Sequence, residues 1–332
     1  MAKYTIIGSG ALGTALGKVI MNKENRDLVI YGVDENEIKD LKNGLNTKYF
    51  PKYIDLPNFK TTTNLKEALK DCEYLILAVP SKIIPIIFEN IKNNIKNIKP
   101  LIISGSKGFF PGTKESLHRG IEKYITENKM EFRGIVSLAG PSFAIEIAKE
   151  QPTIICAIGS DKQLLSEVQD KFQTKYLKIY KQTDIDGADV GSSFKNILAI
   201  GVGMAVELGY GINTIAGFLT RGINEMITYV KETKGKEKTL MGLTGVGDLI
   251  LTTMSDFSRN RTFGRNFIKN GKEKSNKNNT VEGLEAIKFV YEIAKEKGIH
   301  LPIVTSLYQV LFKNLPPEKL INKLLYKTDK QE

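Results

Sequence analysis

The 332-residue chain has no tryptophan, two cysteines and two histidines. Cys72 and Cys156 exclude a disulfide framework and a multi-thiolate metal site. Both stand in apolar stretches, where a free thiol acts as a small hydrophobe in a reducing, cytoplasmic setting. A histidine-based catalyst would have to be built on His118 or His300, and neither lies in a glycine-rich or otherwise site-like context. Long apolar runs are also missing. The longest, Ile197 to Val206, is roughly half of a bilayer span, and Met1-Ala2-Lys3-Tyr4 leads straight into a strand-like segment, so neither a membrane span nor a signal peptide is expected. Arginine is confined to positions 26, 119, 133, 221, 259, 261 and 265. The net charge of +11 therefore comes from scattered lysines, a pattern of solvated surface that argues against a nucleic-acid partner. Such a charge still favours small anionic substrates through its overall field.

With 41% apolar and 26% charged residues the composition is that of a globular protein, and the length suits two domains. Lys3 to Ile7 reads as a strand, Gly8-Ser9-Gly10-Ala11-Leu12-Gly13 as a tight turn, and Leu12, Leu16, Val19 and Ile20 have helical spacing. Strand-like runs follow at Leu28 to Tyr31, Tyr74 to Val79, Leu101 to Ile103, Ile135 to Ala139, Thr153 to Ile158 and Tyr176 to Tyr180. Helical segments separate several of them, with Asn64 as an N-cap and a helix through Ile83 to Ile95. Apolar strands without alternation, interleaved with helices, predict a doubly wound, mostly parallel sheet covered on both faces. From about Gly187 the strand signal stops, and residues 192–232, 261–270, 282–297 and 302–325 all read as helical. The chain thus divides into residues 1–186, an α/β domain, and residues 187–332, an all-α domain.

The Gly8-x-Gly10-x-x-Gly13 spacing has a physical logic. The first glycine permits the turn, the second lets backbone amides approach a pyrophosphate, and the third lets the helix pack closely. The helix N-terminus then meets the anion with unpaired amides and its dipole. Asp34, 21 residues beyond Gly13, either accepts hydrogen bonds from an adenosine ribose or caps a helix that begins Glu35-Asn36-Glu37. Lys107, between Gly105 and Gly108, offers an ammonium where backbone can approach a ligand. Lys195 heads the apolar run at Ile197, where desolvation would lower its pKa toward that of a working base. Asp248 stands beside Gly245 and Gly247, and Ser258-Arg259-Asn260-Arg261 clusters donors suited to phosphate.

In this order, Gly8 to Gly13, Pro80-Ser81, Lys107-Gly108, Gly140 to Ala144, Lys195-Asn196, Gly245 to Leu249, Ser258 to Gly264 and Val281 to Gly283 resemble the NAD(P)-dependent glycerol-3-phosphate dehydrogenase family in its bacterial form. The resemblance covers nearly the whole chain. It implies a Rossmann-type first domain and interconversion of sn-glycerol 3-phosphate with dihydroxyacetone phosphate, using NAD(H) or NADP(H) and no metal, to supply phospholipid synthesis. It further implies Lys195 as proton acceptor with Asp248 near it. Lys107, Gly140, Ser142, Asn196, Asp248, Thr252, Ser258, Arg259 and Asn260 would surround the substrate. Besides Gly8, Gly10, Gly13 and Asp34, the cofactor would touch Ala11, Leu12, Tyr31, Lys107, Ala144, Arg259, Thr280 and Glu282. A homodimer is common among relatives. One departure stands out: many bacterial members carry a tryptophan after the second strand and, two residues later, a basic group for the adenosine 2′-phosphate, where this chain has Tyr31 and Val33. NADH is therefore expected to serve at least as well as NADPH. The alternatives are another lysine-based two-domain dehydrogenase, of β-hydroxyacid or ketopantoate type, and a non-catalytic nucleotide sensor or nucleic-acid binder.

Overall fold

The computed structural model describes residues 2–23, 26–92, 94, 98–275 and 281–319. They divide into two units, residues 1–185 and 186–332. The first contains β1 (Lys3–Ile7), α1 (Ala11–Met21), β2 (Asp27–Tyr31), α2 (Glu35–Lys42), β3 (Lys60–Thr62), α3 (Leu65–Leu69), β4 (Tyr74–Leu77), α4 (Ile84–Lys92) and β5 (Leu101–Ser104). It continues with α5 (Leu117–Glu127), β6 (Gly134–Ala139), α6 (Ala144–Ala148), β7 (Thr153–Ile158), α7 (Lys162–Phe172) and β8 (Leu177–Gln182). The eight strands form one sheet in the order β3-β2-β1-β4-β5-β6-β7-β8, parallel except where β6 meets β7. The winding reverses between β1 and β4, which opens a crevice beyond their carboxyl ends.

Both faces of the sheet are buried at its central strands β1, β4 and β5, which explains why these carry no polar alternation; β8, at the edge, alternates buried and exposed residues. Tyr4, Ile6, Ile76 and Ile103 pack on one side with Leu16, Val168 and Phe172. Ile7, Leu75, Leu77 and Ile102 pack on the other with Phe88, Ile91 and Ile121. His118 belongs to this framework: it is buried, and its Nδ1 lies 2.8 Å from Ser137 Oγ. Burial pushes the Cys72 and Cys156 thiols up to about 11, so both are inert.

The second unit is helical throughout its described residues: α8 (Ile185–Glu207), α9 (Ile212–Lys231), α10 (Glu237–Leu240), α11 (Asp248–Met254), α12 (Arg259–Ser275), α13 (Glu282–Lys297) and α14 (Pro302–Lys313). A single π-helical turn, Leu243–Gly247, precedes α11. Two expected helices differ. The 192–232 stretch breaks after Glu207, where the chain turns through Gly209 at φ +84° before α9 begins. The 302–325 stretch breaks after Lys313, because Asn314 takes a left-handed conformation and Pro316-Pro317 follow; residues 318–319 are helical again, and 320–325 lie outside the described residues. Among the elements that escaped the sequence reading are α10 and α11, and two in the first unit. β3 is a three-residue edge strand, too short for any period to register, and α5 starts at Ser116, whose hydroxyl accepts from the Arg119 N–H.

Candidate active site

In the first unit the glycine turn joins β1 to α1. Gly8 has φ +123°, and a Cβ on Gly13 would lie 2.0 Å from the Gly8 carbonyl oxygen, so the turn closes only with hydrogen at that position. Gly10 caps α1 without any side-chain hydrogen bond, and the first turn contains no acid. Amides and dipole at this end are left to an external anion, which fits a dinucleotide pyrophosphate. Ala11 and Leu12 are the first residues of α1, and Ala144 is the first of α6; all three pack against the same core.

Tyr31 ends β2, half-buried. Asp34 is the N-cap of α2: its Oδ1 accepts from the N–H groups of Asn36 (3.0 Å) and Glu37 (3.3 Å). Those amides, led by that of Glu37, hold the carboxyl below its ordinary range, with Lys48 adding to the effect. The other oxygen, Oδ2, lies 3.3 Å from Lys48 Nζ. Lys48 also reaches Glu37 Oε1 at 2.6 Å, and the ammonium is held charged well above the ordinary lysine range, first by Glu37 and then by Asp34. Ser9 Oγ in the glycine turn donates to Glu37 Oε2. Buried Asn46 donates to the Ser9 carbonyl and to Thr14 Oγ1, so the segment after α2 is fastened to the turn.

At the ends of β5 and β6, three expected residues meet. Lys107 Nζ lies 3.5 Å from the Gly140 carbonyl oxygen, and Ser142 Oγ donates to the same oxygen at 3.1 Å. Ser106 Oγ donates to the Val79 carbonyl at 2.5 Å, tying the Lys107 loop to the segment after β4.

In the second unit, Lys195 and Asp248 form a pair. Lys195 Nζ is 2.6 Å from Asp248 Oδ2, with side-chain exposures of 8% and 2%. The pairing follows from backbone approach. Gly191 precedes Lys195 by one helical turn on the same face of α8, and a Cβ there would come within 2.4 Å of the Thr244 carbonyl oxygen. The π-helical turn can therefore press against α8 and deliver Asp248, the first residue of α11, to the ammonium; π turns recur at functional sites. Thr252 Oγ1 donates to the Asp248 carbonyl oxygen at 2.6 Å and stands 3.4 Å from Oδ1, which fixes the carboxylate's other side.

Asn196, next in sequence to Lys195, belongs to a network joining α8, α12 and α13. Asn260 Nδ2 donates to Asn196 Oδ1 at 2.8 Å, Asn260 Oδ1 accepts from the Gly283 N–H at 3.0 Å, and Asn196 Nδ2 donates to Glu282 Oε2 at 3.4 Å. Ser258 caps α12 by accepting from the Arg261 N–H. Arg259, the first residue of α12, is exposed, with Nη2 3.7 Å from Glu282 Oε1. Thr280 lies outside the described residues.

Residues 3–165 match the sequence model of the NAD-dependent glycerol-3-phosphate dehydrogenase N-terminus, and residues 184–322 match that of its C-terminus. The chain belongs to this family. It is 48% identical over 330 residues to a glycerol-3-phosphate dehydrogenase (NAD(P)+) of Mycoplasma mobile, covering 99% of this chain and 98% of that one. A Clostridium botulinum enzyme of the same name is 37% identical over 338 residues, covering 100% and 99%. The crystal structure of glycerol-3-phosphate dehydrogenase from Coxiella burnetii superposes with a TM-score of 0.86 at 29% identity, over 98% of this chain and 99% of that one. As a glycerol-3-phosphate dehydrogenase the chain is an NAD(P)-dependent oxidoreductase, and the β-hydroxyacid and ketopantoate alternatives fall away. No cluster of residues suited to a metal ion occurs among the described residues.

For a glycerol-3-phosphate dehydrogenase the informative omissions are Glu37, Lys48 and Gly191. Glu37 was legible only as the fourth residue of a D-x-x-E capping pattern, which predicts a bond back to Asp34; its carboxylate instead meets Ser9 and Lys48. Lys48 and Gly191 carry no local signal at all.

Proposed function

We propose that Lys195 is the general acid and base of the interconversion of sn-glycerol 3-phosphate and dihydroxyacetone phosphate, and that Asp248 sets its charge state. The observation that carries this is the buried 2.6 Å Lys195–Asp248 pair. Bound NADH supplies the hydride that reduces C2. Lys195, held as an ammonium by the adjacent carboxylate, donates a proton from Nζ to the oxygen that becomes the C2 hydroxyl. The same amine, once neutral, accepts that proton in the oxidative direction. One amine thus serves both directions, and the reductive one supplies glycerol 3-phosphate for phospholipid synthesis.

Arg259 with Ser258 at the α12 N-terminus reads the substrate phosphate, where guanidinium, hydroxyl and helix dipole all favour an anion. Asn196, Thr252 and Asn260 hold Lys195, Asp248 and the α12–α13 junction in place around the substrate. In the first unit the Gly8 to Gly13 turn, with Ala11, Leu12 and Ala144, holds the dinucleotide. Lys107, Gly140 and Ser142 form a second polar cluster for the phosphorylated substrate. Tyr31 and Asp34 border the adenosine end, and Glu282 with Thr280 completes the cofactor contacts. The enzyme works in the cytoplasm as a homodimer and has no nucleic-acid partner; the scattered lysines support that last reading.

Oxidation of NADH on mixing with dihydroxyacetone phosphate, followed by its absorbance, tests the substrate assignment directly. Lys195→Met is expected to cut kcat by at least about a hundredfold while NADH still binds. Near-normal turnover in the folded variant would remove Lys195 from the mechanism.

A further inference from the structure

The end of β2 is where a dinucleotide-binding sheet meets the adenosine ribose, so groups there separate a 2′-hydroxyl from a 2′-phosphate. Along the sequence this edge offers no cation: Tyr31, Gly32, exposed Val33 and Asp34 follow one another. The fold supplies one from a distance, because the connection between α2 and β3 returns over the glycine turn and brings Lys48 to Asp34 and Glu37.

We propose that Glu37, by holding Lys48, sets the choice between the two dinucleotides and favours the one without a 2′-phosphate. Glu37 is fixed and Lys48 is not. The Glu37 side chain is only 9% exposed, accepts from Ser9 Oγ in the phosphate-binding turn and faces Tyr49 Oη at 3.3 Å, so its carboxylate has no room to swing away. Lys48 is 57% exposed, with its ammonium at the rim. Asp34 has already committed Oδ1 to two backbone amides. The cluster contains two carboxylates and one ammonium, a net charge of −1. A ribose hydroxyl can donate to it. A phosphate carrying nearly two negative charges would have to draw Lys48 away from Glu37 while facing both carboxylates. Lys48 is thus a captive cation, and Glu37 is a specificity determinant acting through it.

This inference rests on the reading that the glycine turn holds the dinucleotide, and the test separates the two. Calorimetric titration of the full chain with NAD+ and with NADP+, at one ionic strength, gives the ratio of their Kd values for the wild type, Glu37→Gln and Lys48→Ala. Glu37→Gln keeps the Ser9 contact's shape and releases Lys48; the ratio is expected to move toward NADP+ by about tenfold or more. Lys48→Ala is expected to move it the opposite way, by about threefold or more. An unchanged ratio in Lys48→Ala overturns the proposal, and it does so even if Glu37→Gln fails to fold. An unchanged ratio in folded Glu37→Gln, or a wild type that prefers NADP+ by about tenfold, also overturns it. Failure of the wild type to bind either dinucleotide would instead overturn the assignment of the glycine turn.

Discussion

Glu225 shows how far a single side chain can be moved by where the chain buries it. It lies on α9, and its carboxylate accepts from the backbone N–H groups of Ile303 and Val304 at the start of α14. Burial pushes its pKa up to about 7; those two amides and Arg221 oppose the shift and only limit it. The folded state thus holds a proton between the ordinary carboxyl range and neutrality that the unfolded chain has released. Stability contributed by the protonated group is complete at acid pH and is lost as pH rises through about 7. The wild type is therefore expected to lose stability from pH 5 to pH 8, by up to the order of 3 kcal/mol from this group alone. Glu225→Gln, which cannot ionise, should flatten that part of the profile. Paired denaturation curves at both pH values check this, and identical pH slopes for the two proteins would show that Glu225 titrates normally. Lys195 likewise finds its ionic partner through the fold, in a carboxylate 53 positions away in sequence.

On the proposed mechanism, the element that does most for the chemistry is the head of α8. Gly191 admits the Thr244–Gly245 backbone to the helix surface, and Lys195 one turn later receives the carboxylate that this backbone carries. A methyl at 191 would stand 2.4 Å from the Thr244 carbonyl oxygen, so the π-helical turn would have to move outward. Gly191→Ala is expected to cost about 1–3 kcal/mol of stability, as overpacking commonly does. It should also lower kcat by at least about tenfold, because the Lys195–Asp248 distance opens, with little change in NADH affinity. Stopped-flow turnover beside cofactor titration separates these effects. Full activity in the variant would mean that α11 can be positioned without close approach. The glycine turn before α1 is a comparable local device, though it was visible beforehand because its three glycines follow one another in sequence.

Over the whole molecule, a net charge of +11 raises the local concentration of doubly charged dihydroxyacetone phosphate. Raising the salt from about 0.1 M to about 1 M shortens the Debye length from about 10 Å to about 3 Å. At saturating NADH, kcat/KM for dihydroxyacetone phosphate is expected to fall several-fold over that range, while that for uncharged dihydroxyacetone stays nearly constant. Parallel salt dependences for both substrates would exclude a steering role for the lysines. At this scale the sequence was readable in its class: strand-helix alternation in the first part of the chain and helical patterning from about Gly187 both have counterparts among the observed elements. Boundaries were less so, as at Gly209 and Asn314, where one residue in a left-handed conformation ends a helix whose apolar period runs on.

What the sequence determined alone was whatever depends on neighbours along the chain. The doubly buried strands, the glycine turn, the Asn64 cap and the apolar run behind Lys195 all express local spacing, and spacing survives in one dimension. It also carried the ordered set of motifs that places the chain in its family. Tertiary structure decided the partners. Asp34 had two readings in sequence, and its folded position shows it capping α2 while sharing Lys48 with Glu37. Lys195 was a lysine at the head of an apolar stretch until the Gly191 contact brought Asp248 to it. The physical reason is common to both. A charged side chain is defined by the opposite charge within a few ångströms, and loops that carry no periodic signal bring those charges together.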